Sequence, residues 1–325
     1  RQRQMCIRDR YISQPSLTNA IHELEKEMGI NIFNRSNKGI SPSIEGEVFL
    51  GYARQVLEQA KVLEDKYKGD DGGKKSFCVS TQHYSFAVNA FVDLIKRYGQ
   101  DEYDFSIRET QTYEIIDDVA RMRSEIGILF MNDFNEKVLN KILRANDLEF
   151  HELFVAKPHV FISRKHPLAK NDIIINEELE AYPYLSFEQG EHNSFYFSEE
   201  IFSTTERKKN IRVRDRATLF NLLIGLNGYT VCSGVIDEKL NGKDIISVPL
   251  ADESDMRIGY IVHRKAILSR LGNTYLGALA NYLTAGSDEP EDSVKIPQRK
   301  LQHRGRFNEM RDDGEPACGD VTEKA

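Results

Sequence analysis

Apolar residues recur every three or four positions through Leu17, Ile21, Leu24 and Met28, which predicts a helix with one apolar face. Ser13 is placed to cap its first turn, Pro15 is tolerated there, and Gly29 stands where a C′ glycine closes a helix. The period then shortens. Asn31-Ile32-Phe33-Asn34-Arg35 reads as a short strand, Ser36 to Gly39 as a turn and Ile40 as the return, together a wing. Ser43 can cap a long helix from about Ile44 to Lys68, whose Phe49, Tyr52, Ala53, Val56, Leu57, Ala60, Leu63 and Tyr67 make a near-heptad seam. The charged, glycine-rich run Gly69 to Lys75 then reads as a flexible boundary.

From Ser76 the pattern alternates between strand and helix. Strands are expected over Phe77–Thr81, Phe105–Glu109 and the wholly apolar Ile126–Met131, with helices over Phe86–Tyr98 and Thr112–Arg123 between them. A helical insert at Glu136–Ala145 leads to strands Glu149–Ala156 and His159–Ser163. A second set follows: strand Tyr184–Phe187, helix His192–Thr205, strand Asn210–Val213, helix Arg216–Asn227 and strand Tyr229–Cys232. Strands Ile245–Pro249 and Arg257–His263 and a helix at about Ser269–Leu283 complete the pattern. Two α/β lobes with crossing strands imply a cleft between them. Loops where strands end and helices begin offer free N–H groups that favour anions. The candidates for an effector contact are therefore Ser80, Thr81, Gln82 and His83, then Thr110 and Gln111, and from the second lobe Ser186, Glu188 and Gln189. The competing reading of these residues is that they cap helices and turns without a ligand.

Composition changes this picture little. Forty per cent apolar and 29% charged residues suit a globular protein, and no apolar run reaches the roughly 18 residues of a membrane span. No signal peptide is evident, so a cytoplasmic protein with no membrane association is expected. Cys6, Cys78, Cys232 and Cys318 show no metal-ligand rhythm, and neither a cofactor nor a metal is called for. A net charge of −7 excludes a protein coated in basic surface but not a small DNA-binding module on an acidic body. There is no GxSxG, phosphate loop, HExxH or Cys/His cluster, so an enzyme is not expected. Glu23, Glu25 and Glu27 read as a solvated helix face. The basic residues Arg207, Lys208, Lys209, Arg212, Arg214 and Arg216 read as solvated strand and turn charges, with anion binding or subunit contact as the alternative.

The polar face of the first helix carries Ser13, Gln14, Ser16, Thr18, Asn19 and His22, short groups able to reach base edges and phosphates. The run from Ile12 to Glu47 carries further marks: Ser-Gln-Pro-Ser-Leu-Thr from Ser13, Glu23-Leu24-Glu25, Ile32-Phe33-Asn34-Arg35 and a Glu45-Gly46-Glu47 turn. With these marks in this order and spacing, the chain resembles the LysR-type transcriptional regulators. The resemblance implies a recognition helix and wing that enter a DNA major groove, with Arg35 and Lys38 of the wing on phosphates. It also implies a linker helix that pairs subunits into a homodimer or homotetramer. Weaker echoes in Arg164-Lys165-His166-Pro167-Leu168-Ala169, Tyr182-Pro183-Tyr184-Leu185 and the Gly225–Gly228 turn extend it over about residues 11–285.

The fold class implied is α/β: a partial winged helix–turn–helix (11–43), a linker helix (44–68), a hinge (69–75) and a two-lobed, periplasmic-binding-protein-like (type 2) effector domain (76–285). Its first lobe would take about 76–150 and 252–285, its second about 151–251. Partners implied are double-stranded operator DNA and a small-molecule effector, a carboxylate or amino acid; a solute-binding module without DNA activity is the alternative. Asn19 and His22 stand where the family often has longer basic side chains, which shifts phosphate contact toward the wing. Residues 1–10 resemble translated sequencing-adapter remnants, a basic minor-groove arm being the other reading. Only Tyr11 and Ile12 would then precede the recognition helix, so weak DNA binding is expected. Residues 286–325, polar and without period, read as a disordered tail.

Overall fold

The computed structural model describes residues 14–36, 39–67, 75–98, 102–236 and 242–284. The expected adapter remnant (1–10), most of the expected hinge (69–75) and the expected tail (286–325) lie outside the described residues. Helix α1 (Gln14–Met28) ends at Gly29, whose φ of +69° is the left-handed conformation expected of a C′ glycine. Strands β1 (Phe33–Ser36) and β2 (Gly39–Pro42) pair antiparallel, from Phe33 opposite Pro42 to Ser36 opposite Gly39. Helix α2 (Ile44–Tyr67) begins where the Ser43 hydroxyl oxygen accepts the Gly46 N–H at 2.8 Å. Glu45-Gly46-Glu47 is thus the first turn of that helix. Gly46 is required there, because a Cβ would fall on the backbone carbonyl of the buried Ile32.

The remaining strands form two sheet assemblies. In the first, β3 (Lys75–Thr81) lies parallel between β4 (Tyr103–Glu109) and β5 (Ile126–Met131). The order continues antiparallel through β12 (Met256–His263) to β6 (Leu148–Ala156). Every residue of β5 is buried, as its unbroken apolar run predicts. Helices α3 (Ser85–Tyr98), α4 (Thr112–Ala120) and α5 (Glu136–Ala145) follow β3, β4 and β5 in the chain. The final helix α8 (Arg270–Thr284) packs with α3, where the enclosed Tyr275 hydroxyl donates to the Ala87 carbonyl.

The second assembly holds β10 (Thr230–Cys232), β7 (His159–Ser163) and β11 (Ile245–Pro249) in antiparallel order, and the parallel pair β8 (Tyr184–Phe187) and β9 (Asn210–Val213). A bridge between Tyr184 and Tyr229 joins the two groups. The short helix α6 (Asn176–Leu179) precedes β8, and α7 (Arg216–Leu226) runs from β9 toward β10 under the Asp215 cap.

Two expectations fail. Helix α4 stops at Ala120 instead of Arg123, since Met122 takes a φ of +54° and the Arg123 and Ser124 N–H groups turn back to the Asp118 carbonyl. The helix expected over His192–Thr205 is absent; short 3₁₀ turns at Gly190–His192 and Phe195–Phe197 stand there instead. Tertiary contacts override the local pattern, because Phe197 leaves its own lobe to pack with Ile115, Ile116, Leu139 and Leu143 of the first.

Candidate functional site

The carboxyl ends of β3 and β4 meet the segment after β8, and side chains from the two lobes bond directly. The Thr112 N–H at the start of α4 donates to the Gln189 Oε1 at 3.1 Å. The Thr112 hydroxyl donates to the Phe197 carbonyl at 2.7 Å while accepting from the Gln82 amide at 2.6 Å. Glu199 receives the Gln189 amide, the His83 backbone N–H and the His83 ring, with Nδ1 2.9 Å from Oε2. His83 is also stacked on Phe187, their ring centroids 3.8 Å apart, and its Nε2 lies 3.1 Å from the Arg214 carbonyl. Tyr113 stacks on His192 and Phe134 on Tyr196 across the same junction. Residues Gln189 to Glu200 therefore form a strap from the second lobe onto the first.

Behind His83 lies a cavity of about 50 Å³ between the strap, α7 and β10. Its walls include Phe161, Phe187, Phe220 and Val231, with Glu199, Glu200 and Arg216 among the charged groups. Burial alone would lower the His83 pKa, but the charge and hydrogen bond of Glu199 outweigh it and the pKa is raised. Burial pushes the Glu200 carboxyl up to about 8, with the Glu199 charge adding to the effect. Arg216 pairs through Nη2 with Glu109 at 3.1 Å, and its Nη1 is buried with no partner.

At the other end of α4, Arg121 binds Glu47 of α2, and its carbonyl accepts from Arg54 of the same helix at 3.2 Å. Arg121 Nε also holds Asp117 at 2.7 Å. Helix α2 leaves Ile44, Val48, Tyr52 and Val56 exposed at a spacing of four, with Leu57 and Leu63 beside them. On α1 no residue is buried. Gln14, Ser16, Asn19 and His22 are exposed there and Thr18 is half-buried, while Arg35 is exposed on β1.

Two family profiles cover this architecture: the LysR substrate binding domain over residues 77–284, and the bacterial regulatory helix–turn–helix protein of the lysR family over residues 8–47. The chain belongs to the LysR family. The Escherichia coli HTH-type transcriptional regulator YbhD is 23% identical over 295 residues, covering 89% of each chain. Another E. coli regulator, YnfL, is 26% identical over 181 residues, 54% of this chain and 57% of that one. A full-length OxyR from Pseudomonas aeruginosa shares the fold at 17% identity, with a TM-score of 0.59 over 86% of this chain and 88% of that one.

Within this LysR-family chain the expected effector residues divide. Gln82, His83 and Gln189 converge on the interlobe junction, and the Gln111 side chain lies against Gly190. Ser80 turns away, its hydroxyl donating to Asp118 at 2.7 Å in a fully buried network. Thr81 bonds the Gln82 carbonyl, Thr110 bonds Glu114 and Glu188 pairs with Arg214. Ser186 is buried on β8. Ser13 and Lys38 lie outside the described residues. Sequence reasoning missed Glu199 and Glu200, whose helix does not form; of its two readings of Arg216, a solvated charge does not fit a side chain only 19% exposed, and anion binding or subunit contact is left. The acidic pair ahead of Ile201 was the available signal. Glu25 is also not simply solvated: its Oε1 accepts the Ile32 and Phe33 N–H groups at 2.8 and 3.0 Å, which lowers its pKa and ties α1 to the wing.

Proposed function

We propose that this chain is an effector-responsive, DNA-binding transcriptional regulator that works as a homodimer or homotetramer in the cytoplasm. The observation that carries the effector reading is the interlobe junction, where the α4 N-terminus, His83, Gln189 and Glu199 meet beside a partly charged cavity. The effector is a small carboxylate or amino acid bound at this junction, and its binding biases the placement of the lobes. Gln14, Ser16, Thr18, Asn19 and His22 face the DNA bases and backbone, with Arg35 on a phosphate. The exposed seam of α2 pairs with a second copy of itself, and its row of unburied apolar side chains supports the oligomeric reading.

The test combines selection of genomic fragments by the full chain with thermal-shift screening of small carboxylates and amino acids. A compound that raises the unfolding temperature and changes the affinity for a selected fragment supports the proposal. Recovery of no specific fragment rejects the DNA reading, and no stabilisation by any compound rejects the effector reading.

A further inference from the structure

The cavity behind His83 has an uneven chemistry. Phe161, Phe187, Phe220 and Val231 supply apolar wall, and most polar groups facing it are already engaged. His83 and Glu199 bond each other, Ser85 donates to the Val235 carbonyl, and Tyr84 donates to Gln82. Glu200 accepts the Phe187 N–H at 2.7 Å. Arg216 differs: it lies in an ion pair with Glu109 through one arm of its guanidinium, and neither its buried Nη1 nor the Glu109 Oε1 makes a hydrogen bond. An unmade hydrogen bond from a largely buried cation is costly, and a planar guanidinium matches a carboxylate in geometry.

We infer that this cavity binds a small monocarboxylate with an apolar body, its carboxylate on Arg216 and its body among Phe161, Phe187, Phe220 and Val231. The inference rests on the effector reading above and narrows it. A second carboxylate on the ligand would meet the like charge of Glu199. The ammonium of an amino acid would find Glu199 occupied by His83 and Gln189, and Glu200 held largely protonated by burial. The cavity volume of about 50 Å³ limits the body to a few carbon atoms beyond the carboxylate.

Calorimetry on the full chain with butyrate, isovalerate and 4-methyl-2-oxopentanoate, against succinate and leucine, tests this. The monocarboxylates are expected to bind, and Arg216→Gln to weaken them at least tenfold. Glu109→Gln, which frees the other arm of the guanidinium, is expected to tighten them. Thermal unfolding of both ligand-free variants establishes that they fold. Equal binding of monocarboxylates to the wild type and a folded Arg216→Gln overturns the assignment. Binding of succinate or leucine alone overturns the ligand class and leaves the effector reading standing. Binding of none of the five, with another acid or amino acid found in the wider screen, does the same; a silent wider screen removes both.

Discussion

Glu200 sits in the second lobe with its carboxyl pushed up to about 8 by burial, against an ordinary value of 4.5. Between those values the folded chain holds a proton that the unfolded chain has released, so this group lowers stability as pH rises through the window. His83 acts in the same direction: its pKa is raised above 6.5, so its contribution is full below that value and is lost as pH rises through the folded pKa. Thermal unfolding is therefore expected to shift downward from about pH 5 to about pH 8.5. Glu200→Gln should flatten that slope and gain no more than about 5 kcal/mol at the alkaline end. An unchanged pH profile in the variant would exclude Glu200 as its source. Gly46 gives a second residue-scale outcome. Gly46→Ala places a methyl on the Ile32 carbonyl and should cost about 1–3 kcal/mol, read as faster proteolysis between α1 and α2. Wild-type cleavage rates would contradict the close approach.

The elements differ in how far they were legible. Strands β5, β7, β8, β9 and β11 and helix α5 match the sequence pattern because each buries its apolar residues against its own sheet or neighbouring helix. The strap was not legible: Phe195, Phe197, Ile201 and Phe202 resemble a helical face, but Phe197 answers to the first lobe. No local period encodes a partner so distant in the chain, and the same holds for the pairing of Glu199 with His83. Of the expected effector residues, those whose side chains cross the junction were reachable from strand ends, whereas Ser80 gives its hydroxyl to the buried Asp118, a partner 38 residues away that no local pattern encodes. Phe197→Ala should cost about 3 kcal/mol, since it removes an aromatic ring from a core it shares with the other lobe. Hydrogen exchange should then rise in the strap and the first turn of α4 together. A rise confined to the strap would mean the two are not coupled.

At the scale of the molecule, α4 touches both the interlobe junction and the helix that follows the wing. Its first residue, Thr112, bonds Gln189, and the residue after its last turn, Arg121, binds Glu47 and accepts from Arg54. Charges continue the connection inward. Arg121 holds Asp117, Asp117 binds Arg123, and Arg123 reaches the buried Asp118 at 2.8 Å, which also takes Arg108 and the Ser80 hydroxyl. Ser80 lies on β3, two residues before Gln82. A contiguous set of contacts is a candidate route for coupling, and only a measured change in coupling establishes it. Arg121→Met removes the bonds to Glu47 and Asp117 while leaving Thr112, His83 and Arg216 in place. Effector affinity should stay within about twofold, while the effector's influence on DNA affinity, typically about 5–150-fold in coupled systems, should fall toward unity. Titrating a selected DNA fragment with and without ligand, for wild type and variant, separates the two quantities. Undiminished coupling in the variant would place the route elsewhere, since α4 would then meet α2 without transmitting to it.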